Sequence, residues 1–137
     1  MEPAKPTVQY INPNGLHKNP AFSQVVVTKG SVRTIYIGGP NAVSESGDLV
    51  GKGDIKAQAE RVLKNLKTAL HAGGANLENV IKWTIYVVQG QQSQPAFGVF
   101  QQKMRSMPNP LITLLYVSGL AHPDFLIEIE ATAVIPE

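Results

Sequence analysis

The stretch Pro108–Ala133, P-N-P-L-I-T-L-L-Y-V-S-G-L-A-H-P-D-F-L-I-E-I-E-A-T-A, constrains the fold more than any other. Two apolar runs flank a turn around Ala121-His122-Pro123-Asp124, a pattern that predicts two strands joined as a hairpin. The first, Leu111–Val117, is apolar on both faces except at Thr113 and Tyr116. A sheet with two apolar faces needs two covers, so the pattern predicts an oligomer whose sheets pack together. The second run carries Glu128 and Glu130. Strand side chains alternate, so these acids share one face, roughly 7 Å apart. A buried carboxylate is costly unless it is paired or used. Spacing leaves two readings open. One acid has a raised pKa and serves as a general acid or base, or one faces water while the other holds a backbone donor or a neighbouring subunit's cation.

The rest of the chain supplies the remaining layers. Residues 1–6 read as a loose tail and Thr7–Ile11 as a short edge strand. Asn12–Pro20 has turn signals and no periodicity, as in a surface connection or a site-lining loop. Gln24–Thr28 and Val32–Ile37 predict a hairpin across Lys29-Gly30-Ser31. Gly38-Gly39-Pro40 allows close approach of a backbone or ligand but begins no phosphate-binding motif. After the polar loop Asn41–Gly53, Ile55, Ala59, Val62, Leu63, Leu66, Ala69 and Leu70 recur at helical spacing. Asp54 is placed to cap this helix, Gly73-Gly74 to end it, and His71 to sit in its last turn. Asn79–Val88 is the clearest strand, with Ile81, Trp83, Ile85 and Val87 alternating against Lys82, Thr84 and Tyr86. Phe97, Phe100, Met104 and Met107 predict a second helix with Pro95 in its first turn. The order β-β-α-β-α-β-β, with a possible extra strand in front, predicts an α+β fold with both helices on one face of a sheet.

Composition narrows the function classes. A chain of 137 residues suits a single domain spanning 1–137. The net charge is +2 with scattered Lys and Arg, so no basic stripe points to nucleic acid. Cysteine is absent, which excludes disulfides and thiolate chemistry. His17, His71 and His122 lack metal-ligand spacing, and no G-x-S-x-G motif occurs. No metal and no cofactor are expected. No apolar run approaches the ~20 residues of a membrane span, and the first residues lack a signal-peptide core. The expectation is a cytoplasmic protein without a membrane partner.

Several pieces then match a known pattern: Gln58 and Asn65-Leu66 in the first helix, Ala72-Gly73 at its end, and Val80-Ile81-Lys82. The most specific is Leu120 followed by Pro123-Asp124 and Ile127-Glu128-Ile129-Glu130-Ala131. From about Ile11 to Val134 the chain resembles the Rid (YjgF/YER057c/UK-type) family. The resemblance implies a chorismate-mutase-like fold and a homotrimer, with the sheets forming an inner barrel and ligand clefts between subunits. RidA-type members hydrolyse reactive enamines and imines, using the arginine of a Pro-x-Arg-Ser/Thr run to grip a substrate carboxylate. Here that run is Pro110-Leu111-Ile112-Thr113, so Ile112 stands where the arginine belongs. Leu114 holds a position that is often Cys, Phe22 that of a tyrosine and Phe97 that of an asparagine. Gly38 replaces the serine of a Ser-Gly-Gln motif. Glu128 matches the carboxylate that positions water.

The resemblance therefore implies a divergent member. The expected site is a cleft lined by Phe22, Gly38, Gly39, Phe97, Ile112, Thr113 and Leu114, with Glu128 as the catalytic candidate. An isoleucine cannot pair an anion, so deamination of 2-imino acids is disfavoured unless Arg33 or Arg105 supplies a cation from another direction. Three functions remain. The first is a module binding a small, largely uncharged metabolite. The second is a hydrolase of altered specificity in which Glu128 activates water against a substrate lacking a carboxylate. The third is a structural or protein-interaction trimer with a vestigial cleft, presenting the outer helix face Lys56/Glu60/Lys64/Lys67.

Overall fold

The structure is a computed structural model that describes residues 5–137. Most of the tail expected over 1–6 therefore lies outside the described residues. Strands β1 (Thr7–Ile11), β2 (Val25–Lys29) and β3 (Val32–Ile37) lead into helix α1 (Ile55–Ala72). A 3-10 turn (Leu77–Asn79), strand β4 (Val80–Val88), helix α2 (Gln94–Met104) and strands β5 (Leu111–Val117) and β6 (Ile127–Pro136) follow. This is the expected α+β order, with the extra strand present.

Pairing differs from expectation in two places. The main sheet runs β3-β6-β4-β5. β4 lies between β5 and β6, parallel to the first and antiparallel to the second, so the expected hairpin in Pro108–Ala133 does not form. A parallel neighbour needs a crossover, and α2 supplies it between β4 and β5. The return connection Ser118–Leu126 needs only to step across one strand, about 10 Å. Likewise β2 and β3 are not a hairpin. β1 pairs with β2, Thr7↔Lys29 through Ile11↔Val25, in a separate small sheet, while β3 pairs with β6. The chain turns between them at Gly30, whose φ of 85° suits glycine. A Cβ there would fall 2.8 Å from the Pro6 backbone.

Local chemistry explains α1. The Asp54 carboxylate accepts a bond from the Ala57 N–H at 3.1 Å, closing the first turn. Gly74, at φ 82°, reverses the chain and lets the Ala75 N–H reach the Leu70 carbonyl at 2.8 Å. Gly73 lies against Ile35 of β3, where a Cβ would come within 2.8 Å of that side chain. The inner face of α1 buries Val62, Leu66 and Leu70 against Val80, Val87, Ile127 and Ile129, each such side chain adding about 1.5–3 kcal/mol. Both helices cover the same face of the sheet.

The other face is open and differs from the apolar surface expected. Lys82, Thr84 and Tyr86 of β4 lie there beside Glu128, Glu130 and Thr132 of β6. On this face apolar side chains are exposed on β5 and the far edge, with Leu115 at 40% and Tyr36 at 81%. Among the described residues, no helix is long and apolar enough to cross a membrane.

One buried polar residue ties these layers together. Gln58 is fully buried in α1. Its amide nitrogen donates to the Gly51 and Asp124 carbonyls at 3.1 and 2.9 Å, and its oxygen accepts from the Leu126 N–H at 2.9 Å. Gln58 thus fixes the loop entering α1 and the segment entering β6. Gln58→Leu keeps the size but leaves these groups unpaired, so urea unfolding is expected to show a loss of about 2–4 kcal/mol. An unchanged midpoint would contradict this role.

Candidate functional site

A cavity of about 600 Å³ opens between α2, the β4–β5 side of the sheet and the segment Pro20–Phe22. Its walls follow from periodicity. Trp83 and Ile85 of β4 point to the helix side. Their parallel partners Ile112 and Leu114 continue that surface on β5. α2 contributes Phe97 and Phe100, and the rings of Trp83 and Phe100 meet at 6.3 Å with a 56° tilt, a favourable edge-on arrangement. Among the described residues the buried indole N–H of Trp83 has no hydrogen-bond partner, at a cost of about 1–3 kcal/mol. Polar groups lie at the rim: Gln101, Arg105 and Asn109.

Phe22 is held over this wall by a clasp. Ser23 donates its N–H to the Pro110 carbonyl at 3.0 Å and its hydroxyl to the Asn109 carbonyl at 2.6 Å. The Asn109 amide donates back to the Pro20 carbonyl at 2.7 Å. The end of the Asn12–Pro20 loop is therefore fastened to the start of β5.

The carboxylates lie across the sheet. Glu128 is half-buried on the open face, opposite Tyr86 in the β4–β6 register. Gly39 backs it closely, since a Cβ on Gly39 would fall 2.8 Å from the Glu128 carboxyl carbon. Here is the close approach that the Gly38-Gly39 pair allows. Glu130 is exposed and accepts a bond from the Tyr86 hydroxyl at 3.0 Å. That hydrogen bond, then desolvation and the charges of Glu130 and Glu128, raise the Tyr86 pKa above its ordinary 10.0. Gly38 lines a separate recess of about 300 Å³ with Tyr36, Lys82 and Glu130.

The structure thus brings Phe22, Phe97, Ile112 and Leu114 together in one cavity. Within one chain it leaves Glu128, Gly38, Gly39 and Thr113 outside that cavity. Of the two arginines considered as substitute cations, Arg33 is engaged, bridging Glu137 at 2.6 Å and donating to the Gly73 carbonyl. Arg105 lines the cavity. Periodicity alone would place Trp83 and Phe100 in the core, and nothing in the sequence points to the Ser23–Asn109 clasp. Strand alternation marked the face of Trp83, but nothing in the sequence marked the opening beside it. Among the described residues, no cluster of His, Asp and Glu could hold a metal ion.

Comparison with known proteins adds a family signal. The profile of the family described as Endoribonuclease L-PSP matches residues 14–135. A RutC family protein of Pyrococcus abyssi is 35% identical over 100 residues, 72% of this chain and 76% of the relative. The human 2-iminobutanoate/2-iminopropanoate deaminase is 28% identical over 113 residues, 82% of this chain and 79% of its own length. The crystal structure of the Rid family protein YyfB from Yersinia pestis superposes with a TM-score of 0.81 at 33% identity, over 93% of this chain and 98% of that one.

The Tyr86–Glu130 bond has a spectroscopic consequence. A raised pKa means that the folded state favours the neutral phenol. Its contribution to stability is present below the ordinary value of 10.0 and is lost as pH rises through the folded value. Ultraviolet titration, with Tyr86→Phe assigning the signal, is expected to show Tyr86 ionising late in the wild type and earlier in Glu130→Ala. Identical titration of the two proteins would contradict the assignment.

Proposed function

Because the chain belongs to the Rid (endoribonuclease L-PSP) family, we propose that it binds a small metabolite with a largely apolar body in the cavity beside β5. One observation carries this reading: Ile112 and Leu114 stand in a continuous apolar wall with Phe22 and Phe97, at the positions where the family resemblance expects an arginine and often a cysteine. A volume of about 600 Å³ falls within the range of small-molecule sites. Burial of aromatic and branched side chains against an apolar body supplies the affinity, and the rim groups set its orientation.

The same wall disfavours the reaction named for the human relative. An anion placed against Ile112 would be desolvated without a partner there. Within one chain, Glu128 is separated from the cavity by the sheet, so it cannot activate water beside a ligand in that cavity. A second subunit could bring another Glu128 to the mouth, and we propose that the protein assembles as a homotrimer through its open sheet faces. The exposure of Tyr36 and Leu115 supports that assembly. The cavity lies beside the edge strand β5, so a neighbour reaching past that edge would make each cavity an intersubunit cleft.

Trp83 is the chain's only tryptophan and lines the cavity, so its fluorescence reports occupancy. Phenylacetamide, a neutral aromatic probe, is expected to change that emission saturably, and Ile112→Glu to weaken the response at least about tenfold by placing a charge in the apolar wall. Absence of a saturable response in the wild type would contradict the reading. Hydrolysis of 2-iminobutanoate is expected to proceed at the rate in buffer alone. Turnover that Glu128→Gln abolishes would establish the hydrolase instead.

A further inference from the structure

We propose that Arg105 makes this cavity a site for small organic anions, specifically monocarboxylates with an aromatic or branched apolar body. The inference rests on the binding reading and adds the ligand's charge. Arg105 follows the last turn of α2 with helical backbone angles, φ −56° and ψ −36°. Phe97, Gln101 and Arg105 are therefore spaced four apart on one helical stripe, and all three line the cavity. Apolar wall, neutral amide and cation succeed one another along that stripe.

The charge balance points the same way. Among the described residues no carboxylate lines the cavity. Among the described residues, none lies within ion-pair distance of Arg105 either, since the ion pairs found join Arg33 to Glu137 and Lys52 to Asp124. Lys103, near the end of α2, is also basic. At the rim the Asn109 amide is committed to Pro20, which leaves Gln101 as the neutral group available beside the guanidinium. The C-terminal end of α2 carries about half a negative charge, which opposes an anion. A full guanidinium charge outweighs it, and its planar fork matches a carboxylate bidentately.

This cation enters from the helix layer, whereas the family arginine would enter from β5 at the position of Ile112. The apolar body would lie along Ile112 and Leu114, with the carboxylate directed outward to Arg105. Ligands with large apolar side chains are then favoured over short ones, because the strand wall offers no polar contact near the anionic end.

Phenylacetate and phenylacetamide have nearly the same shape and differ in charge. Fluorescence titration of Trp83 in the full chain, as wild type, Arg105→Gln and Arg105→Lys, separates the terms. The wild type is expected to prefer phenylacetate by about tenfold. Arg105→Gln should erase that preference by weakening phenylacetate more than phenylacetamide, and Arg105→Lys should keep part of it. Equal preference in wild type and Arg105→Gln overturns the inference and leaves the binding reading intact. Loss of both ligands to the same degree in Arg105→Gln also overturns it, by showing a packing role. If neither compound perturbs Trp83 in the wild type, both readings fall.

Discussion

Alternation of side chains along β4 and β6 is the constraint on which the site depends. In β4, Trp83, Ile85 and Val87 turn toward the helices while Lys82, Thr84 and Tyr86 turn away. In β6, Ile127, Ile129 and Ala131 take the helix side and Glu128 and Glu130 the other. Because the two strands are hydrogen-bonded neighbours, their alternations lock together through Ile85↔Ile129 and Tyr86↔Glu128. A slip of one residue would put two carboxylates into the core. The register irregularity between Val80 and Lys82 is confined to the start of β4, so it leaves the strand's site-bearing half in phase.

This lock separates two chemistries that a linear reading places side by side. The helix side holds an apolar cavity with a cationic rim. The open side holds carboxylates, a tyrosine hydrogen-bonded to one of them, and Gly39 packed closely against the other. Two polar fasteners keep these surfaces in place. Gln58 fixes the segment leading into β6, and the Ser23–Asn109–Pro20 bonds fix Phe22 against the start of β5. Gln58 and Ser23 are buried and satisfied, and such groups specify one arrangement where apolar packing alone would tolerate several.

Much of this was legible because it is local. Helix α1 follows from the spacing of Val62, Leu66 and Leu70 and from the caps at Asp54 and Gly74. The shared face of Glu128 and Glu130 follows from a period of two. Pairing was not legible, because it is settled between distant segments. Nothing in Pro108–Ala133 shows that β4 inserts between β5 and β6, or that β2 turns to β1. The site divides on the same line. Motif positions picked out Phe22, Phe97, Ile112 and Leu114, which do meet in one cavity. The face of Glu128 relative to Ile112 depends on two registers through β4, so the sequence could not separate them. Trp83 and the rim position of Arg105 emerge only when α2 is laid across the sheet.

The claim that ligand binding belongs to the helix side of β5, apart from any Glu128 of the same chain, is tested most directly by a crystal structure of the protein soaked with phenylacetate. The account predicts the phenyl ring between Phe97 and Ile112 with its carboxylate toward Arg105. Density against Glu128 and Gly39 of the same chain, or a cavity closed by a neighbouring subunit's side chains, would contradict it.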